Sequence, residues 1–416
     1  MQKKGLLSSA GIYFISSIIN AAIPFLLMPI ITKYLSPSDY GIFTMFTILI
    51  GLTTPFVGLN IHGAVSRYYF HSDKKSFAIY IYNCFLILLV SSITMAIIFF
   101  LTADYISTIS NFPKTWLWAV VYLAVIQFIN QLALVILQVS EQPLKYALFQ
   151  ISNALVYGGL TVFFVVVIKE TWDGRIKAQL LTATILAIIC LLYLIKSKFI
   201  KSKVDRDSIK DALKFGVPLI PHTIGAYIIS ASDRLFITNM VGLDATGIYS
   251  VAFQLGLILS FLTDAFNKAW VPHLFKNLKL ENTEVKLKIV KQTYIYYLFL
   301  IILAMIIIIA VPIIIQVFID EKYHSATNYT TWIILGYCLN GMYKMVTNYI
   351  FYAHKTIILS YMTFITAILN IFFNYLFIKA NGAIGAAQAT ALSYFITFII
   401  TWILSNRVYP MPWKLK

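Results

Sequence analysis

Residues 292–318 read QTYIYYLFLIILAMIIIIAVPIIIQVF, from Gln292 to Phe318 without one charged side chain. A hydrocarbon core of about 30 Å is crossed by about 20 apolar residues in a helix, and this stretch exceeds that length. Lipid offers the backbone no hydrogen-bond partner, so such a segment closes its own bonds as a helix. Working outward, similar runs place spans at 9–32, 41–66, 77–102, 115–138, 147–168, 178–196, 215–240, 246–270, 292–318, 330–352, 356–378 and 384–405. Pro37, Pro143 and Gly242 mark the short connections 33–40, 139–146 and 241–245.

Composition excludes other solvents. Of 416 residues, 60% are hydrophobic and 12% are charged, against about 25% charged in a soluble domain. Too few charges remain to cover a water-facing surface, and the hydrophobicity is far too high for a disordered chain. Lys3 and Lys4 precede an apolar stretch reaching Thr32. That is too long for a signal peptide's core and lacks a small-residue cleavage site, so it reads as a retained first helix. Cys84, Cys190 and Cys338 each lie within an apolar run and form no CxxC pair. They read as buried small hydrophobes, with no disulfide framework, metal site or cofactor expected.

The net charge is +16. The basic residues fall between apolar runs and form no aromatic-basic motif, so membrane lipids rather than nucleic acid are the expected partner. With the N-terminus in the cytoplasm, twenty-two Lys and Arg fall in inside loops and seven outside. The positive-inside rule then puts both termini in the cytoplasm of a multi-pass protein with an even number of spans. Arg234, Lys268 and Lys344 lie within spans.

The charge-dense connection 197–214 divides the chain near its middle. Leu35-Ser36-Pro37-Ser38-Asp39-Tyr40-Gly41-Ile42-Phe43 matches Val241-Gly242-Leu243-Asp244-Ala245-Thr246-Gly247-Ile248-Tyr249 at an offset of 206 residues. Six spans per half gives both halves one orientation. The expected fold is therefore all-α and integral to the membrane, with about 12 transmembrane helices. Residues 1–205 and 206–416 form two six-helix lobes related by a parallel pseudo-two-fold repeat, the design of alternating-access transporters.

Several stretches carry a family resemblance. They are Phe215-Gly216-Val217-Pro218-Leu219-Ile220-Pro221, Ser232-Asp233-Arg234-Leu235-Phe236-Ile237, Gly247-Ile248-Tyr249, Phe266-Asn267-Lys268-Ala269-Trp270-Val271-Pro272 and Asn381-Gly382-Ala383-Ile384-Gly385-Ala386-Ala387. Together they resemble the polysaccharide-export branch of the MOP superfamily, the Wzx-type flippases, related to MurJ and MATE. The resemblance implies no enzyme. It implies a flippase that moves an undecaprenyl-pyrophosphate-linked oligosaccharide, an O-antigen or capsule repeat unit, from the cytoplasmic to the outer leaflet of the bacterial inner membrane. H⁺ or Na⁺ coupling is possible in such a protein, and the polymerase and chain-length proteins of the export pathway are possible partners.

Charges at membrane depth are costly and mark cavities or pairs. Arg234, Lys268, Lys344 and Arg67 are candidates for a cationic cavity lining that binds a pyrophosphate headgroup. Asp233 and Asp264 are candidates for ion coupling or charge pairing. So is His222, eleven residues before Asp233 and near its helical face. The competing readings are a neutralised Asp264–Lys268 pair at i,i+4 and an Arg67 that snorkels to headgroups. Gln127, Asn130, Gln131 and Gln138, then Asn370 and Asn374, and Asn20 with the kink-forming Pro24 and Pro29, mark helices facing protein or water. For these, hydrogen bonds between helices are the first expectation. Trp116, Trp118, Trp270, Trp332 and Trp402 are expected as interfacial anchors.

Two alternatives compete. A MATE-like drug exporter is expected to carry acids, whereas the span charges here lean cationic. A glycan polymerase or ligase needs a large outward loop. The outward loops 103–114, 169–177 and 319–329 are short, and Asp320, Glu321 and His324 read as solvated. No Walker motif is present.

Overall fold

The computed structural model describes residues 2–355 and 357–414. The side chains of Lys3 and Lys4, and all of Lys416, which count toward the inside charge, lie outside the described residues. Helices and the connections between them account for the described residues, with no strand. The chain divides into two compact units, Met1–Tyr227 and Ile228–Lys416.

The first unit holds α1 (Gln2–Tyr34), α2 (Pro37–Thr53), α3 (His62–Tyr69), α4 (Lys74–Leu101), α5 (Ala103–Ser110), α6 (Leu117–Val139), α7 (Pro143–Val162), α8 (Trp172–Lys196) and α9 (Arg206–Gly216). α10 (Ile220–Met240) runs across the division. The second unit continues with α11 (Leu243–Leu278), α12 (Thr283–Phe318), α13 (Thr327–Tyr352), α14 (Ile357–Asn381) and α15 (Ala383–Val408). α9 packs against α3 and α4, which carries the first unit beyond residue 205.

Each expected span falls on a helix or a helix pair. Among the described residues, eight helices are long and apolar enough to cross a membrane. α13 is more polar than these. It is packed by α11, α12 and α15, and that enclosure lets Thr330, Thr347 and Asn348 be buried within protein rather than lipid. Gly341 makes the close packing possible: a Cβ there would lie 2.7 Å from Thr263 and 2.8 Å from Leu300.

The expected continuous helix 41–66 is broken. α2 ends at Thr53, just before Pro55. The backbone then turns through positive φ at Gly58 (73°), Leu59 (51°) and Asn60 (55°) before α3 begins. Non-helical backbone at membrane depth needs partners inside protein or a cavity. Here Gly58 N donates to Ser91 Oγ at 2.9 Å and Asn60 Nδ2 to Thr223 Oγ1 at 2.7 Å.

The capping signals behave as their chemistry dictates. Ser36 and Asp39 form a reciprocal capping box at α2. Asp73 caps α4 and Asp205 caps α9. The three cysteines are buried. Of the tryptophans, Trp118 is exposed and stacks on Trp116, which meets Trp172 edge-on. Trp270 is instead buried, stacked on Phe266, and so is no surface anchor.

Candidate functional site

The first unit holds a partly open cavity of about 800 Å³. The break between α2 and α3 gives it Thr54, Pro55, Asn60 and His62, and α6 gives it Gln127, Asn130 and Gln131. Asn20 of α1, Gln150 and Asn153 of α7 and Gln179 of α8 complete a wall of side-chain amides. No Asp, Glu, Lys or Arg lines it. Asn130 Nδ2 donates to the Ala183 carbonyl at 3.1 Å, while Asn130 Oδ1 and Gln179 Oε1 are buried without a partner. Such a wall can trade hydrogen bonds with a ligand rich in hydroxyl groups. Gln138 lies outside this wall and is exposed.

A second cavity, of about 1000 Å³, opens where α4 begins and α8 ends. Lys74, Lys75, Lys198 and Lys201 line it, with Ser72 and Gln142. Arg67 is close by in sequence but lines neither cavity. It forms a forked pair with Asp211 at 2.5 and 2.6 Å, and its guanidinium lies 5.3 Å from the centre of the Phe215 ring. Tyr80 donates to the same carboxylate at 3.0 Å. Arg67 thus ties α3 to α9, with its side chain still half exposed.

In the second unit, Asp233 is 2% exposed. It accepts from Tyr249 Oη at 2.8 Å and from Arg234 Nε at 3.2 Å. Arg234 also donates to the Ser230 carbonyl, and its guanidinium lies 3.8 Å from the centre of the Phe253 ring. Next to this cluster in sequence, Ser232 donates to Asn370 Oδ1 at 2.9 Å, as does Asn374 Nδ2. Asn374 Oδ1 has no partner. His222 is exposed and belongs to the first unit.

Asp264 pairs with Lys344 of α13, at 2.6 Å, instead of Lys268. Lys344 also donates to Thr263 Oγ1 at 3.1 Å, and Asn348 to Asn267 at 2.8 Å. Lys268 is exposed and makes no ion pair among the described residues. The close approach at Gly341 brings the two helices near enough for the inter-helix pair to replace the i,i+4 one. A third cavity, of about 640 Å³ and almost wholly apolar, is lined by Ile301, Trp332, Met342 and Phe395.

A family model described as "Polysaccharide biosynthesis protein" matches residues 6–278. The chain belongs to that family. An "Uncharacterized membrane protein" of Haemophilus influenzae is 24% identical over 414 residues, covering 94% of this chain and 97% of the relative. Two solved structures share the fold. "Lipid II flippase MurJ, inward closed conformation" aligns with a TM-score of 0.71 at 15% identity, over 96% of this chain and 87% of that one. An inward-facing "multidrug resistance MATE family transporter of the MOP superfamily" aligns with a TM-score of 0.70 at 13% identity, over 93% and 94%. This family member is a multi-pass membrane protein that shares its fold with these two structures.

Within the second unit the structure brings together Asp233 with Arg234 and Asp264 with Lys344, and Lys268 joins neither pair; His222 and Arg67 belong to the first unit. Arg175 was missed. Sequence reading counts it as a loop charge, but α8 starts at Trp172, six residues before the expected 178. That extension carries Arg175 into the helix, where it is buried. The Asp-x-Arg-x-Lys run 173–177 on an apolar helix was the available signal.

Proposed function

We propose that the protein is an alternating-access flippase of the Wzx type. It moves an undecaprenyl-pyrophosphate-linked oligosaccharide, an O-antigen or capsule repeat unit, from the cytoplasmic to the outer leaflet of the bacterial inner membrane. The observation that carries this reading is the cavity set with side-chain amides in the first unit of a member of the polysaccharide biosynthesis family. Amides suit sugar hydroxyls, and a chain carrying only lipid or apolar drugs has no need of so many. The four-lysine cavity offers charge-assisted contacts to the diphosphate on the side expected to face the cytoplasm. Asp233, with Tyr249 as its donor, is the residue we assign to H⁺ or Na⁺ coupling.

The fold likeness to a MATE transporter supports a second reading, a drug exporter. Reconstitution decides between them. Proteoliposomes loaded with a lipid-linked oligosaccharide on one leaflet are expected to expose it to an enzyme outside only when the protein is active. Efflux of cationic dyes with no glycan movement overturns the flippase in favour of the exporter.

A further inference from the structure

The ends of four candidate membrane spans meet at one cavity of the first unit. α4 begins at Lys74, α6 ends at Val139, α7 begins at Pro143 and α8 ends at Lys196. The cavity of about 1000 Å³ is built at these ends: Lys74 and Lys75, Ser140 and Gln142, and Lys198 and Lys201 all line it. Membrane helices end where the hydrocarbon core gives way to headgroups. The cavity therefore lies at headgroup level, on the side that loop charge assigns to the cytoplasm.

Its lining is amphipathic. The four lysines are exposed and make no ion pair among the described residues. No Asp or Glu lines the cavity. The acids nearest in sequence are Asp73, Glu141 and Asp205, and two of them are engaged as helix caps. Asp73 accepts from the backbone N–H groups of Lys75 and Ser76, and Asp205 from that of Ser208. Aromatic rings stand beside the lysines. Phe77 meets Tyr69 edge-on at 5.0 Å and Phe199 edge-on at 6.0 Å between centres, and all three line the cavity. Next to the lining in sequence, Phe70, Leu144 and Ile195 are exposed apolar side chains, as side chains that meet lipid are.

Four cations around one cavity repel one another unless an anion lies among them. A soluble anion meets the charge but leaves the rings and the lipid-facing rim without a use. A phospholipid meets both, with its phosphate among the lysines and its glycerol and upper chains against the rings. Lys serves a phosphate as a point charge, and basic pockets between membrane helices on the cytoplasmic side suit lipid headgroups. The volume falls at the upper end of ligand pockets, about 300–1,000 Å³.

We propose that this cavity binds an anionic phospholipid of the cytoplasmic leaflet, held through its phosphate by Lys74, Lys75, Lys198 and Lys201. Bound there, the lipid bridges the start of α4 to the connection after α8. The inference goes beyond the flippase reading and stands without it. The cargo diphosphate of that reading is the other source of the same oxyanion chemistry, and the test separates the two.

The test is native mass spectrometry of the purified full-length protein in detergent. It is offered equal amounts of phosphatidylglycerol and phosphatidylcholine with identical acyl chains, and separately pyrophosphate. The wild type is expected to prefer phosphatidylglycerol by at least about tenfold. K74Q/K75Q/K198Q/K201Q is expected to weaken phosphatidylglycerol binding by at least about tenfold, and the four Lys→Arg changes at the same positions to retain it. K276Q/K279Q/K288Q/K291Q removes as much charge from exposed positions of the second unit and is expected to keep the preference. If the lining variant melts well below wild type, K75Q and K201Q are read singly, each with an expected loss of about fivefold. A wild type that binds both lipids equally overturns the proposal. So does phosphatidylglycerol binding that survives in the lining variants, or that falls as far in the second-unit variant. A wild type that takes up pyrophosphate but shows no lipid preference assigns the cavity to the diphosphate and overturns it too. Glycan translocation without a phosphatidylglycerol preference overturns this inference alone. The preference without translocation overturns the flippase reading alone.

Discussion

At Asp233, a carboxylate with 2% exposure takes three donors, Tyr249 Oη, the Arg234 guanidinium and the Arg234 backbone N–H. Removing one leaves a buried charge under-satisfied, which costs about 1–3 kcal/mol. Tyr249→Phe is expected to lose stability within that range, read from thermal unfolding, and Asp233→Asn to abolish ion-dependent transport. Lys344 is different. Its partner Asp264 is half exposed, so breaking the pair is expected to cost only about 1 kcal/mol or less. Lys344→Met therefore separates structure from function. Near-normal melting with at least a tenfold loss of glycan translocation is the expected result, and normal translocation removes Lys344 from the substrate path.

Among the elements, the interrupted second span is the most consequential. Gly58 has φ 73°, and a Cβ there would lie 2.3 Å from the Phe128 ring. Gly58→Ala must strain the backbone and displace the ring together. We expect a loss of about 2 kcal/mol or more, seen as a lowered melting temperature, and a distorted cavity mouth. The cap of α9 gives an acid-side test. Hydrogen bonds from Ser208 hold the Asp205 carboxyl below its ordinary value of 3.8. Because the folded value is the lower one, this stabilisation is complete above the unfolded value and is lost as pH falls through the folded value. Asp205→Asn keeps the cap and is expected to flatten the dependence of melting temperature on pH below about 4.

For the whole molecule, the expected signature of a flippase is that cavity polarity matters more than any single charge. Gln127→Leu with Gln131→Leu removes amides from one face of α6 while keeping side-chain bulk. Glycan translocation is expected to fall at least tenfold with the melting temperature held. Unimpaired translocation would detach the cavity from the substrate path. Sequence by itself determined the membrane solvent, the approximate course of most helices and the family, because those follow from local quantities: run length, hydropathy, loop charge and short motifs. It marked Gln127, Asn130 and Gln131 as a polar stripe but ranked them as inter-helix glue, since a stripe does not tell a cavity from a neighbour. Only the tertiary structure decided that Asp264 pairs with Lys344 across helices, that Arg67 bonds Asp211, that His222 stays in the open and that Arg175 is buried. Each depends on contacts between residues far apart in the chain. Helical spacing fixes which side chains share a face, and packing alone fixes what that face meets.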